Sequence, residues 1–347
     1  MKQISRTMFV LLVLVVVGVW SVSAQDDPAQ RNKQAFLEMT AQYNAGNREA
    51  FYNLLTDPFM MNQGDHILAS TSPDDVRAYD SALAAAMPDI QMNPTVVIAQ
   101  GDWVAAHLTW TGTFTEPFSF APFGPDAFPA NNQAVTWTEM QFLHFNAEGL
   151  VDVGWLSGDP ALMFGQMGMF PPAEGSRTGT PIEGLAGYQT LSADELAATF
   201  ISGMEARNLA LFADMGSLGL GSDSSGFYAD PYVSWGVGGA YAITAAQAAE
   251  EAAFPAMLKA AMPDVAMEGT VTVAEGDWAA TLVTISGTFT EDVDFFGMPL
   301  SATGETITWQ FGVIDRFAAD GKIVEEWIEG SSLPVLTGLG IVPPMGQ

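Results

Sequence analysis

The sequence predicts an α+β protein built from two tandem copies of one domain, and three observations carry that prediction. The chain repeats itself: Ala86-Met87-Pro88-Asp89 returns 175 residues later as Ala261-Met262-Pro263-Asp264, and 18 of the 31 positions from Ala86 to Glu116 are identical at that offset. Within each copy, helical patterns come first and strand patterns follow, without the βαβ alternation of a parallel fold. Between the copies lies a stretch rich in Pro, Gly, Ser and Thr, the composition of a linker.

In each copy a helical stretch opens the domain (Arg31 to Tyr43; Ala193 to Ala206), and a capping box at Ser192–Glu195 starts the second of these. A short second helix follows. A third helical segment (Pro73 to Ala86; Ala245 to Ala261) stops at Met-Pro-Asp, because proline disfavours helix in the residue before it. Strand patterns come next, at Thr95 to Ala99, Trp103 to Thr115, Ala134 to Phe145 and Leu150 to Ser157, with turn residues at Gln100-Gly101-Asp102 and Asn146 to Gly149. The expected boundaries are residues 30–170 and 191–344 for the domains and 171–190 for the linker. Residues 1–24 read as a signal peptide: Lys2 and Arg6 precede an apolar run from Met8 to Trp20, and Val22-Ser23-Ala24 offers small residues for cleavage. An exported protein, periplasmic or secreted, is the expectation, with no membrane association once the signal is cleaved.

Composition removes several classes of function. Of 347 residues, 40 are Asp or Glu and 11 are Lys or Arg, a formal charge of −29 that argues against binding nucleic-acid phosphates or anionic lipid. With no Cys, thiolate metal sites and cysteine nucleophiles are excluded. The three His residues share no metal-ligand spacing. At 48% apolar the chain has ample material for a core.

Met262-Pro263-Asp264, Gly287-Thr288, the segment Phe296 to Trp309, and Asp320-Gly321-Lys322 leading to Trp327 together resemble the SnoaL-like polyketide cyclases of the nuclear transport factor 2-like superfamily. The first copy carries a weaker version in Met87-Pro88-Asp89, Gly112-Thr113, Asn146 to Gly149 and Trp155. The resemblance implies two cone-shaped domains, each a strongly bent antiparallel sheet packed with about three helices around an apolar pocket. It also implies pairing of the two sheets into an intrachain pseudo-dimer. The activity implied is cofactor-free aldol-type ring closure, with a carboxylate four residues after the Trp as general acid/base. That position is Asp159 in the first copy and Ser331 in the second, so the second departs from the pattern.

Strand alternation supplies the other candidates. In the first copy Trp137, Glu139 and Gln141 share one face of a strand, and Trp155 and Asp159 share a face of the next. In the second copy the matching faces hold Trp309 and Asp315, and Trp327 and Glu329. All are expected to line pockets, with Asp159 catalytic. A carboxylate desolvated there would have a raised pKa. His66 falls in an irregular stretch near the expected pocket mouth, whereas His107 and His144 alternate outward. Two functions fit: acid–base chemistry on a small apolar carbonyl compound in the first domain, or non-catalytic binding of a small apolar or aromatic ligand.

Overall fold

The computed structural model describes residues 27–63, 72–120, 126–169, 180–181, 193–197 and 200–341, apart from residues 201, 221, 237, 238, 252, 296 and 332. The signal-peptide reading, the His66 candidate and most of the expected linker lie outside the described residues. Among the described residues no helix is long and apolar enough to cross a membrane.

The first copy opens with α1 (Pro28–Asn44), where Pro28 occupies the first turn and the Asp27 side chain accepts the Ala29 N–H at 3.1 Å. Its buried stripe is Phe36, Met39 and Tyr43, at the three- and four-residue spacing that puts side chains on one helix face. Then come α2 (Glu49–Tyr52), β1 (Leu55–Gln63) and α3 (Pro73–Ala86), which ends directly before Met87-Pro88. Strands β2 (Gln91–Gln100), β3 (Trp103–Thr113), β4 (Ala134–Phe145) and β5 (Val151–Gly158) lead into α4 (Pro160–Gln166). The sheet order is β1-β5-β4-β3-β2. Every pairing is antiparallel except β1 with β5, which is parallel. Sequence patterning does not show β1 because Pro58 interrupts it; the pairing is irregular between Leu55 and Met60, where a residue without an N–H costs no ladder bond.

The second copy repeats this order. A two-residue strand, β6 (Thr180–Pro181), lies within the expected linker and pairs with the edge of the second sheet. After it come α5 (Ala193–Ala197), α6 (Glu205–Leu218), β7 (Tyr228–Gly236), β8 (Gly239–Ile243), α7 (Ala245–Glu251) and α8 (Ala253–Ala261). The remainder is β9 (Ala266–Glu275), β10 (Trp278–Thr288), the hairpin β11 (Val293–Phe295) and β12 (Met298–Leu300), β13 (Thr306–Phe317), β14 (Ile323–Gly330) and α9 (Leu333–Gly338). The sheet order is β6-β8-β7-β14-β13-β10-β9, again with one parallel pair, β7 with β14. The expected opening helix over Ala193 to Ala206 is corrected. The counterpart of α1 is α6, where Arg207-Asn208 and buried Phe212 repeat Arg31-Asn32 and Phe36. Leu196 of α5 instead joins the first copy's core.

The two sheets pack against each other through a shared apolar layer of Val96, Ile98, Ala105, Met140 and Phe142 from one copy and Trp235, Trp278, Leu282, Ile314 and Trp327 from the other. Gly312 permits the close approach: a Cβ there would lie 2.8 Å from Met140 Sδ and 3.1 Å from Phe142 Cε2. The interface has an approximate two-fold character visible in its polar bonds. Glu275 accepts the Ala99 N–H at 2.8 Å, and the equivalent Gln100 accepts the Ala274 N–H at 3.0 Å. Buried Lys33 donates to both Glu275 oxygens at 3.1 Å. Burial from water pulls the Lys33 pKa down, and Glu275 counters that pull. Ser157 Oγ donates to the Glu329 carbonyl at 2.7 Å and accepts the Gly312 N–H at 3.0 Å.

Candidate active site

The first copy encloses a cavity of about 460 Å³ between its sheet and helices α1, α3 and α4. The alternation of β4 turns Trp137, Glu139, Gln141 and Leu143 toward it, and Asp159 stands at its rim. Trp110 and Trp137 stack with ring centroids 5.5 Å apart and planes 4° from parallel. Most of the remaining wall is apolar, including Met39, Phe51, Phe59, Met163 and Phe164.

Glu139 is the chemically notable group. Gln141 Nε2 donates to its Oε1 at 2.6 Å. Removal from water pushes its pKa up to about 7; the Gln141 hydrogen bond pulls it down, and the negative charge of Glu329 adds to the rise. A carboxyl in that range exchanges a proton readily near neutral pH. Asp159 is the N-cap of α4 and accepts the Ala161 N–H at 3.0 Å, so it lines the cavity while anchoring a helix.

A third acid escaped the sequence reading. Asp80 of α3 lines the cavity, and its two oxygens accept the hydroxyls of Tyr43 and Tyr52. Burial, then Asp80 itself, holds both phenols above their ordinary pKa. The available signal was an Asp on the stripe Val76, Asp80, Leu83 that α3 buries. Two residues of the second copy, Gln310 and Ser331, also reach this cavity. Gln310 Nε2 is held by Thr284 Oγ1 at 2.9 Å.

Three expected pocket residues are placed elsewhere. Trp155 packs against the layer between the sheets. Trp327 lies in the same layer, stacked on Trp235 with centroids 5.6 Å apart. Glu329 faces the interface, where its Oε1 meets His107 Nε2 at 3.0 Å. The reason is a bulge in each copy. Phe145 pairs with Val151 but His144 with Val153; Phe317 pairs with Ile323 but Arg316 with Glu325. One extra residue shifts the alternation and turns the following side chains to the opposite face. Trp309 sits in a second-copy core with Val283, Ile285 and Ile307, and Asp315 is fully buried in that copy. His144 stays half-exposed and pairs with Asp152 at 2.6 Å. Among the described residues, no group of three or more His, Asp or Glu side chains gathers as a metal site.

The family model of the SnoaL-like polyketide cyclases matches residues 33–166 and 246–339, one segment in each copy. The chain belongs to this family. Among solved structures, AclR from Streptomyces galilaeus is similar at 26% identity, covering 40% of this chain and 85% of that one with a TM-score of 0.34. IdmH from Streptomyces antibioticus is 16% identical, covering 40% and 98% with a TM-score of 0.33. An NTF2-like protein from Burkholderia pseudomallei K96243 is 15% identical, covering 40% and 97% with a TM-score of 0.31. A comparison with curated proteins gives no match. In this SnoaL-like chain the second copy lacks both acids: at an offset of 172, which holds along β4 and β5, Glu139 and Asp159 become Phe311 and Ser331.

Proposed function

We propose that the first copy catalyses cofactor-free acid–base chemistry of the cyclase or isomerase type on a small apolar carbonyl compound, in an exported protein. The observation that carries this reading is Glu139: a carboxyl with a pKa of about 7, set in an aromatic-walled cavity of about 460 Å³. As carboxylate, Glu139 takes a proton from the carbon beside the substrate carbonyl, leaving an enolate. In ring closure the enolate carbon bonds to a second carbonyl carbon of the same molecule, and the resulting alkoxide takes the proton back from Glu139. In isomerisation the proton returns to a different carbon. Either way the enzyme ends as it began, and nothing is oxidised or reduced. Asp159 is the second carboxylate at the cavity, occupying the position at which family cyclases are expected to carry their acid/base.

The test is α-proton exchange of an aromatic ketone such as α-tetralone in D₂O, followed by NMR. The wild-type chain is expected to accelerate exchange, and Glu139→Gln to lower the rate about 10²–10⁴-fold. Asp159→Asn keeps a capping side chain, so its effect on rate reports chemistry rather than folding. Exchange that survives both substitutions would overturn the catalytic reading. Binding of the ketone without any exchange would leave the first copy as a carrier of small apolar ligands.

A further inference from the structure

The wall of the first copy's cavity is one-sided in charge. Four acids line it, Asp75, Asp80, Glu139 and Asp159, and among the described residues no Lys, Arg or His does. Asp75 is exposed, and Glu139 and Asp159 keep accessible surface, so these carboxyls meet open space rather than packed interior. Arg48 and Arg77 stay outside the lining. Arg48 lies 5.3 Å from the centre of the Tyr43 ring and Arg77 4.7 Å from that of Tyr52, and Arg77 pairs with Asp74 and Glu49.

Hydrogen-bonding capacity is one-sided in the same sense. Gln141 Nε2 donates to Glu139, Gln310 Nε2 to Thr284 Oγ1, and Ser157 Oγ to the Glu329 carbonyl. The Tyr43 and Tyr52 hydroxyls are directed onto Asp80. Gln141 is only 4% exposed, and its Oε1 meets no donor among the described residues. A buried acceptor without a donor costs free energy, so the wall favours a ligand that brings donors. Ring faces add to this. The stacked Trp110 and Trp137, and Tyr79 with Phe120 at 5.2 Å between centroids, all line the cavity, and aromatic faces attract cations.

We propose that this cavity binds an organic ammonium ion, so that the compound on which Glu139 acts is an aromatic ketone bearing an amine, its charged head held by Asp159. Elimination singles out Asp159. The Asp80 oxygens each take a phenol, Asp75 stands in water where its charge is screened, and Glu139 is the acid–base group. The ketone rests on the chemistry proposed for Glu139; the preference for an ammonium does not. A cation in the cavity also favours the Glu139 carboxylate. Near neutral pH the empty cavity leaves that group partly protonated, so binding expels a proton. Glu329, whose charge also reaches Glu139, is paired with His107.

The experiment titrates the full chain by calorimetry near neutral pH with three probes of one shape: β-aminotetralin, β-tetralol and the matching carboxylate. The amine is expected to bind about ten-fold or more tighter than the alcohol, and the carboxylate weakest. Asp159→Asn, which keeps a capping side chain, should weaken the amine about five-fold or more and leave the alcohol unchanged. Glu148→Gln, an exposed acid outside the lining, should change neither. Repeating the amine titration in buffers of different ionisation heat should show proton release in the wild type and none in Glu139→Gln. Equal affinity for amine and alcohol, or unchanged amine affinity in Asp159→Asn, overturns the proposal. So do equal losses in Asp159→Asn and Glu148→Gln, which report diffuse attraction to an acidic surface, and proton release that persists in Glu139→Gln. The two readings of the cavity fail separately. Amine preference without exchange of α-tetralone removes the chemistry and keeps the ligand class, whereas exchange without amine preference removes the ammonium alone.

Discussion

Replacing Glu139 by Gln tests the cavity's electrostatics without any substrate. The folded state raises the Glu139 pKa from 4.5 to about 7, so it holds the proton more tightly than the unfolded chain does. Below the unfolded value the group is protonated in both states and contributes its full stability. That contribution is lost as pH rises through the folded value, because ionisation is easy in the unfolded chain and costly in the cavity. A shift of about 2.5 units at 1.36 kcal/mol each gives about 3 kcal/mol across that window. Glu139→Gln has no proton to lose, and its amide oxygen still accepts from Gln141. The variant should therefore gain about 3 kcal/mol over wild type between pH 4 and pH 8, on top of a pH-independent offset. At roughly 2–4 °C per kcal/mol for a domain of this size, the difference in Tm should widen by roughly 6–12 °C. Scanning calorimetry of both chains across that range is the assay, since every other carboxyl cancels in the difference. A Tm difference that stays constant from pH 4 to pH 8 would refute the assignment of Glu139 as a desolvated acid.

Other outcomes follow from the packing. Lys33→Met leaves the Glu275 carboxylate buried without its cation and should cost about 3–5 kcal/mol by urea denaturation. Combining Lys33→Leu with Glu275→Gln, which copies the Leu209 and Gln100 of the mirrored position, should recover most of that loss. Gly312→Val drives a side chain into Met140 and Phe142 and should cost about 1–3 kcal/mol, with tryptophan fluorescence reporting the disturbed layer. Gln310→Ala should raise KM for a first-copy substrate several-fold at unchanged kcat, which would show the second copy shaping the first copy's site.

What was legible in the sequence was whatever obeys a simple period. The duplication is plain in Ala86 to Glu116, and the alternation of β4 puts Trp137, Glu139 and Gln141 on one face. The bulges at Asp152 and Val324 were not legible, because one extra residue leaves composition and spacing nearly unchanged while reversing the face of everything after it. That is why simple alternation points Trp155, Trp327 and Glu329 into pockets although they lie between the sheets. Strand β1 was hidden by Pro58 and by a parallel pairing with a distant partner. Asp80 is hard to see because one acid on the buried stripe of α3 looks, in sequence, like the acids Asp74 and Asp75 of its first turn.

The bonds across the two-fold are not mirrored by their symmetry-related positions. Lys33 faces Glu275, whereas the mirrored position holds Leu209 and Gln100; His107 faces Glu329, whereas its mirror holds Leu282 and Ser157. Two first copies joined in the same way would set Lys33 against Gln100 and His107 against Ser157. Two second copies would bury Glu275 against Leu209 and Glu329 against Leu282. Only a first copy matched with a second satisfies both acids, so the pairing tells its two halves apart. Pairing of two like copies is thereby disfavoured, and the two halves of one chain are each other's fitting partner.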